Sequence, residues 1–105
     1  MDDLKKILPE LKAALERRYG DRLVKLILFG SYARGEATED SDIDVLAAIR
    51  GMTSAYREIE ETNDIVTDLG LKYDTLIALI PIETERYDTE RTPFIIIVRS
   101  EGVEV

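Results

Sequence analysis

Gly30-Ser31, Asp42, Asp44 and Asp74 are the residues of this chain whose types and spacing suit chemistry on phosphate. Gly30-Ser31 directly follows the apolar run "RLVKLILF". A turn there, leading into a helical segment, points free backbone N–H groups and a serine hydroxyl at an anion. The glycine lets the backbone approach phosphate closely. Asp42 and Asp44 stand two apart in a stretch that reads as strand, so their side chains share one face. Two neighbouring carboxylates repel each other, and sheets disfavour aspartate. Bridging divalent cations would compensate, because an Asp-x-Asp pair can hold two metals. Asp74 is a lone charge in "KYDTLIALIP". If the two strands are neighbours, it completes a three-carboxylate cluster. Such a cluster serves two-metal phosphoryl or nucleotidyl transfer. One metal steadies a triphosphate and its leaving pyrophosphate. The other lowers the pKa of the attacking hydroxyl, whose proton a carboxylate takes.

Two rival readings of the same residues fail on spacing. Asp40, Asp42 and Asp44 match the opening of an EF-hand loop. Its sixth and twelfth positions, which require Gly and Glu, hold Val45 and Gly51. Gly30 and Gly35 stand at the Walker A spacing, but Glu36 and Ala37 occupy the lysine and Ser/Thr positions. Glu39 and Asp40 read as solvated loop charges. Arg34 is placed either to contact phosphate or to brace the loop against nearby acids.

Composition narrows the field. The chain has 105 residues, which suggests one domain spanning 1–105 with a single modest core. A net charge of −8 argues against direct nucleic-acid binding, which relies on basic surface. A phosphate substrate would then need local positive charge, and metal ions are the natural source. The sequence has no cysteine and no histidine. That excludes thiolate and histidine-dependent catalysis within the chain and leaves oxygen ligands, which favour Mg²⁺, Ca²⁺ or Mn²⁺. It also fits a reducing cytoplasm. Asp2 and Asp3, with no long apolar run, do not read as a secretory signal, and no stretch is long enough to span a membrane.

The elements that must position these residues follow from periodicity. Leu4, Ile7, Leu8, Leu11, Ala14 and Leu15 lie on one stripe of a helix over residues 2–19. Pro9 kinks that helix or marks its true start near Leu8, and Gly20 ends it. Strands are expected over 22–29 and 42–49, with a loop and a short helical turn after Gly30 between them. Thr53 or Ser54 caps a helix to about Leu69 that Gly70 stops, burying Ala55, Ile59, Val66 and Leu69 and exposing Glu58. A third strand over 72–81, ended by Pro81, carries Asp74. A polar connection over 82–91 leads to a short helix over 93–100 and an edge strand over 103–105. The order predicts an α/β (α+β) domain with a small mixed sheet of three to four strands covered by helices.

"FGSYARGEATEDSDIDV" also resembles the signature of the DNA polymerase beta-like nucleotidyltransferase superfamily: Gly-Ser, ten residues, then Asp-x-Asp. It is most similar to the minimal nucleotidyltransferases, the MNT or MntA-like antitoxins. The resemblance implies a nucleotidyltransferase fold that binds ATP with Mg²⁺, two ions being expected. It implies AMP transfer to a hydroxyl, expected to be a tyrosine of a HEPN-type toxin partner. By the same resemblance Gly30, Ser31 and Arg34 would bind the nucleotide, and Asp42, Asp44 and Asp74 would ligate metal and act in catalysis. Two other readings stay open: an antitoxin that neutralises by binding alone, and a small-molecule transferase of the aminoglycoside kind. Homo- or hetero-oligomers are both compatible with the sequence.

Overall fold

The computed structural model describes residues 3–105, so the helix expected from Asp2 has its first residue outside them. Helix α1 runs Leu4–Tyr19 and buries Ile7, Leu11, Leu15 and Tyr19, spaced four apart on one face. Pro9 neither breaks nor starts it. The proline lies on the exposed side, next to water that can serve the carbonyl it leaves unpaired. Gly20, at a positive φ of 58°, ends α1, and a 3₁₀ turn leads into strand β1, Leu23–Phe29.

A short helix α2, Ser31–Arg34, follows β1, and strand β2 is Ile43–Ile49. Helix α3 is Ala55–Tyr73, strand β3 Ile77–Glu83, helix α4 Thr84–Thr89, helix α5 Pro93–Glu101 and strand β4 Val103–Glu104. The four strands form one sheet in the order β3-β2-β1-β4. β1 runs antiparallel to β2 and to β4, while β3 runs parallel to β2. The sheet is thus mixed, as expected. β2 is central, and Val45 to Ile49 are fully buried.

The sheet is covered on both faces. Ile43, Val45, Ala47 and Ile49 pack with Leu26, Leu28 and the stripe of α1. Leu46 and Ala48 pack with Ile27, Phe29, Ile82, Tyr87, Ile95 and Val98. Each fully buried Leu or Ile contributes about 1.5–3 kcal/mol over an exposed one. The alternation also fixes register, since a one-residue slip would exchange the two faces.

Three expectations need correction. α3 does not stop at Gly70 but runs on to Tyr73. A Cβ on Gly70 would stand 2.7 Å from the Thr75 carbonyl oxygen, and Thr75 donates its N–H to the Gly70 carbonyl at 2.9 Å. Gly70 therefore makes room for the returning chain. The face of α3 also differs. Ile59 is half exposed at 49%, whereas Glu58 and Thr62 are buried. Glu58 is tolerated there because the Tyr19 hydroxyl donates to it at 2.8 Å. Lastly, β3 starts five residues later than expected and passes through Pro81, which pairs with Ala47. An edge strand accepts a proline whose nitrogen faces outward.

Candidate active site

The site is built where β1 ends and β2 begins. In the antiparallel ladder Phe29 stands opposite Asp44. Gly30, the next residue, turns the chain at φ +77°. Its carbonyl accepts from the N–H groups of Ala33 and Arg34, both at 3.1 Å, which starts α2. A Cβ on Gly30 would fall onto the Asp44 carboxylate, whose Cγ would lie only 3.1 Å away. Only glycine fits this approach. The Gly30-Ser31 corner is thus laid against Asp44 by the strand pairing itself.

Asp44 belongs to the face of the sheet that carries Leu46, Ala48 and Phe29, on the side of α4 and α5. Phe29 meets Phe94 of α5 edge-on, with ring centroids 5.5 Å apart. Asp42 lies one residue before β2 and is exposed, whereas Asp44 is half-buried. Burial pushes the Asp44 carboxyl above its ordinary pKa, and the neighbouring Asp42 charge adds to the rise. Arg34 opposes it, and Glu101 raises it further. Ionised Asp44 is therefore short of positive charge in the free protein.

Arg34 is held by acids. Its Nε donates to Glu36 at 2.8 Å, and its NH1 donates to Glu101 at 3.0 Å. The same Glu101 carboxylate accepts the Gly30 N–H at 3.2 Å. Sequence reasoning missed Glu101. It lies 57 positions past Asp44 by residue number, in "SEGVEV", and no spacing ties it to the Gly-Ser corner. The contact arises because β4 pairs with β1 and so returns the end of α5 to Gly30.

Asp74 is not in a strand. It caps the C-terminus of α3 in the left-handed conformation, φ 52°. Asp is among the few residues that adopt this region readily. Opposite Asp44 on β3 stands Ala78. Asp74 instead lines a cleft of about 540 Å³ with Ile7, Tyr32, Ile43, Glu39 and Asp40. Ile43 and Ile7 belong to the other face of the sheet, so this cleft opens on the α1 side. Glu39 and Asp40 are exposed, as expected for loop charges. Among the described residues, no group of three or more His, Cys, Asp or Glu side chains is arranged to hold a metal ion. The longer α3 leaves Asp74 in the turn before β3 rather than within the strand beside β2.

The remaining donor set still fits Mg²⁺. Asp42 and Asp44 offer carboxylate oxygens that could hold a cation, with neither cysteine nor histidine in the chain to favour a softer metal. Mg²⁺ is commonly held by one or two carboxylates together with waters and substrate phosphates. Gly30, Ser31 and Arg34 carry a backbone N–H, a hydroxyl and a guanidinium within the short turn that follows β1. Together these groups suit a polyphosphate with its cation.

Comparison with known proteins gives the family and the fold. The family model described as "Nucleotidyltransferase domain" matches residues 8–105. "Putative protein adenylyltransferase MJ0141" of Methanocaldococcus jannaschii is 40% identical over 99 residues, covering 94% of this chain and 95% of that protein. A crystal structure of a toxin-antitoxin with AMP-PNP superposes with TM-score 0.63 at 20% identity, covering 90% of this chain and 68% of that one. A structure of tri-AMPylated Shewanella oneidensis HEPN toxin with MNT antitoxin gives TM-score 0.55 at 16% identity, covering 93% and 70%. At these identities the two structures speak for the fold.

Proposed function

The chain belongs to the nucleotidyltransferase domain family, and from that premise we propose that it is a Mg²⁺-dependent protein adenylyltransferase. It transfers AMP from ATP to a hydroxyl of a partner protein, in keeping with the relative named a protein adenylyltransferase. The observation that carries the reading is the Phe29–Asp44 pairing, which brings Gly30 against Asp44.

In this reading Gly30, Ser31 and Arg34 bind the triphosphate. Asp42 and Asp44 hold Mg²⁺, which when bound neutralises charge on the phosphates and the leaving pyrophosphate. Two ions are the family expectation, and Asp42 and Asp44 are the residues that would hold them. The acceptor oxygen bonds to the α-phosphorus, the bond from that phosphorus to the bridging oxygen breaks, and pyrophosphate leaves. The acceptor proton passes to a carboxylate of the pair. Asp74, the third carboxylate that the resemblance implies, lines the cleft on the α1 side.

The acceptor is proposed to be a tyrosine of a HEPN-type toxin, which makes this chain the antitoxin. The HEPN toxin and MNT antitoxin complex of similar fold supports that partner. The test is incubation with α-labelled ATP, Mg²⁺ and the toxin encoded beside it. Label should reach the toxin with the wild-type chain and not with Asp42→Asn/Asp44→Asn. Equal labelling by both chains, or none by either, would sink the proposal. Protection of cells from the toxin by the double Asn variant would favour neutralisation by binding alone.

A further inference from the structure

Resting on the nucleotide-binding reading above, we infer that Glu101 is a stand-in anion: its carboxylate occupies the Gly30 amide and the Arg34 guanidinium until nucleotide phosphate displaces it. Both groups that the reading assigns to phosphate are engaged by this one side chain. Glu101 Oε1 accepts the Gly30 N–H at 3.2 Å, and Oε2 accepts from Arg34 NH1 at 3.0 Å. A carboxylate and a phosphate oxygen make the same demand on such donors, so only one can hold them at a time.

The surroundings make Glu101 displaceable without unfolding. Its backbone is fixed: Gly102, the next residue, donates its N–H to the Val98 carbonyl at 2.8 Å and packs against Ile27 too closely to admit a Cβ. Its side chain borders solvent, 18% exposed beside an Arg34 side chain that is 44% exposed. Ion pairs this open to water are weak, and a polyphosphate carries more charge than one carboxylate. Arg34 keeps Glu36 as a second partner at 2.8 Å when Glu101 leaves. Glu101 is thus a positioning residue. It orders Gly30 and Arg34 in the empty site and sets a threshold that nucleotide must overcome.

The test compares wild type with Glu101→Gln and Glu101→Ala. Glutamine keeps the shape and an acceptor oxygen but loses the charge. ATP with Mg²⁺ is titrated by calorimetry, and the Gly30 amide is followed by NMR. Glu101→Gln should bind ATP about two- to fivefold more tightly than wild type. The ATP KM should fall by the same factor with kcat held within about twofold, as for a group acting on ground-state binding. The Gly30 amide should move on ATP addition in each chain. If Glu101→Ala does not fold, the Gln variant carries the comparison alone. Equal or weaker ATP affinity in a folded Gln variant, with the amide still responding to ATP, overturns the role of Glu101 and leaves the nucleotide reading standing. An amide that shifts with Glu101→Gln but never responds to ATP overturns the nucleotide reading and this inference with it.

Discussion

Tyr19 of α1 donates its hydroxyl to the carboxylate of Glu58 in α3 at 2.8 Å, and both side chains are buried. This pair joins the two helices that cover one face of the sheet. Burial, followed by the bond to Glu58, pushes the Tyr19 hydroxyl well above its ordinary pKa, so it remains a donor. Tyr19→Phe should cost about 1–3 kcal/mol, because it leaves a buried carboxylate short of a partner. Urea unfolding measures it. A change near zero would mean that water serves Glu58 instead.

Asp44 should divide activity from stability. Asn at Asp42 or Asp44 should lower AMP transfer by about 10²–10⁴-fold, the range for loss of a positioned acid–base group. In metal-free protein, Asp44→Asn should raise the melting temperature at neutral pH. The folded pKa of Asp44 lies above its ordinary value, so the stability tied to its protonation is complete below that value. It is lost as pH rises through the raised one, and the ionised form costs stability. A lower melting temperature for Asp44→Asn would contradict this.

Gly30→Ala should harm both properties. The added methyl falls on the Asp44 carboxylate, and φ +77° is strained for any side chain. A cost of about 1–3 kcal/mol is expected from the backbone alone. Thermal melts and labelled-ATP transfer read the two effects. Full activity with wild-type stability would show that the corner relaxes away from Asp44.

Glu10 should shape the acid limb of the stability curve. Hydrogen bonds from Lys72 and then Tyr73 hold its carboxyl below its ordinary pKa. A lowered folded pKa gives stability that is present above the unfolded value and lost as pH falls through the folded one. Melting temperatures of Glu10→Gln and wild type should therefore differ at neutral pH and converge as pH falls through the lowered folded pKa. A constant gap across pH would assign the effect to packing.

Much of this architecture is legible in the residues, and its failures have physical causes. Helical spacing marks α1, and Thr92-Pro93 with Gly102 frames α5 despite the β-branched run between them. Thr92 accepts from the Ile95 N–H at 3.2 Å, a cap that outweighs strand propensity. The approach of Gly30 to Asp44 is local, since it follows from the pairing of Phe29 with Asp44. Asp74 was misplaced because Gly70 reads as a stop, whereas the fold uses its missing side chain to admit Thr75. Glu58 reads as a surface acid because its partner Tyr19 is 39 residues away. Glu101 depends on strand order, which no local pattern carries.

Pro81 protects the outer margin of the sheet. The Ile43 N–H donates to the Leu76 carbonyl, so alternate residues of β3 from there face β2, and Ile77, Leu79, Pro81 and Glu83 face outward. Pro81 has no N–H to offer in that row. A strand from another molecule would lose a hydrogen bond there and meet a ring instead, which guards the β3 margin against edge-to-edge aggregation.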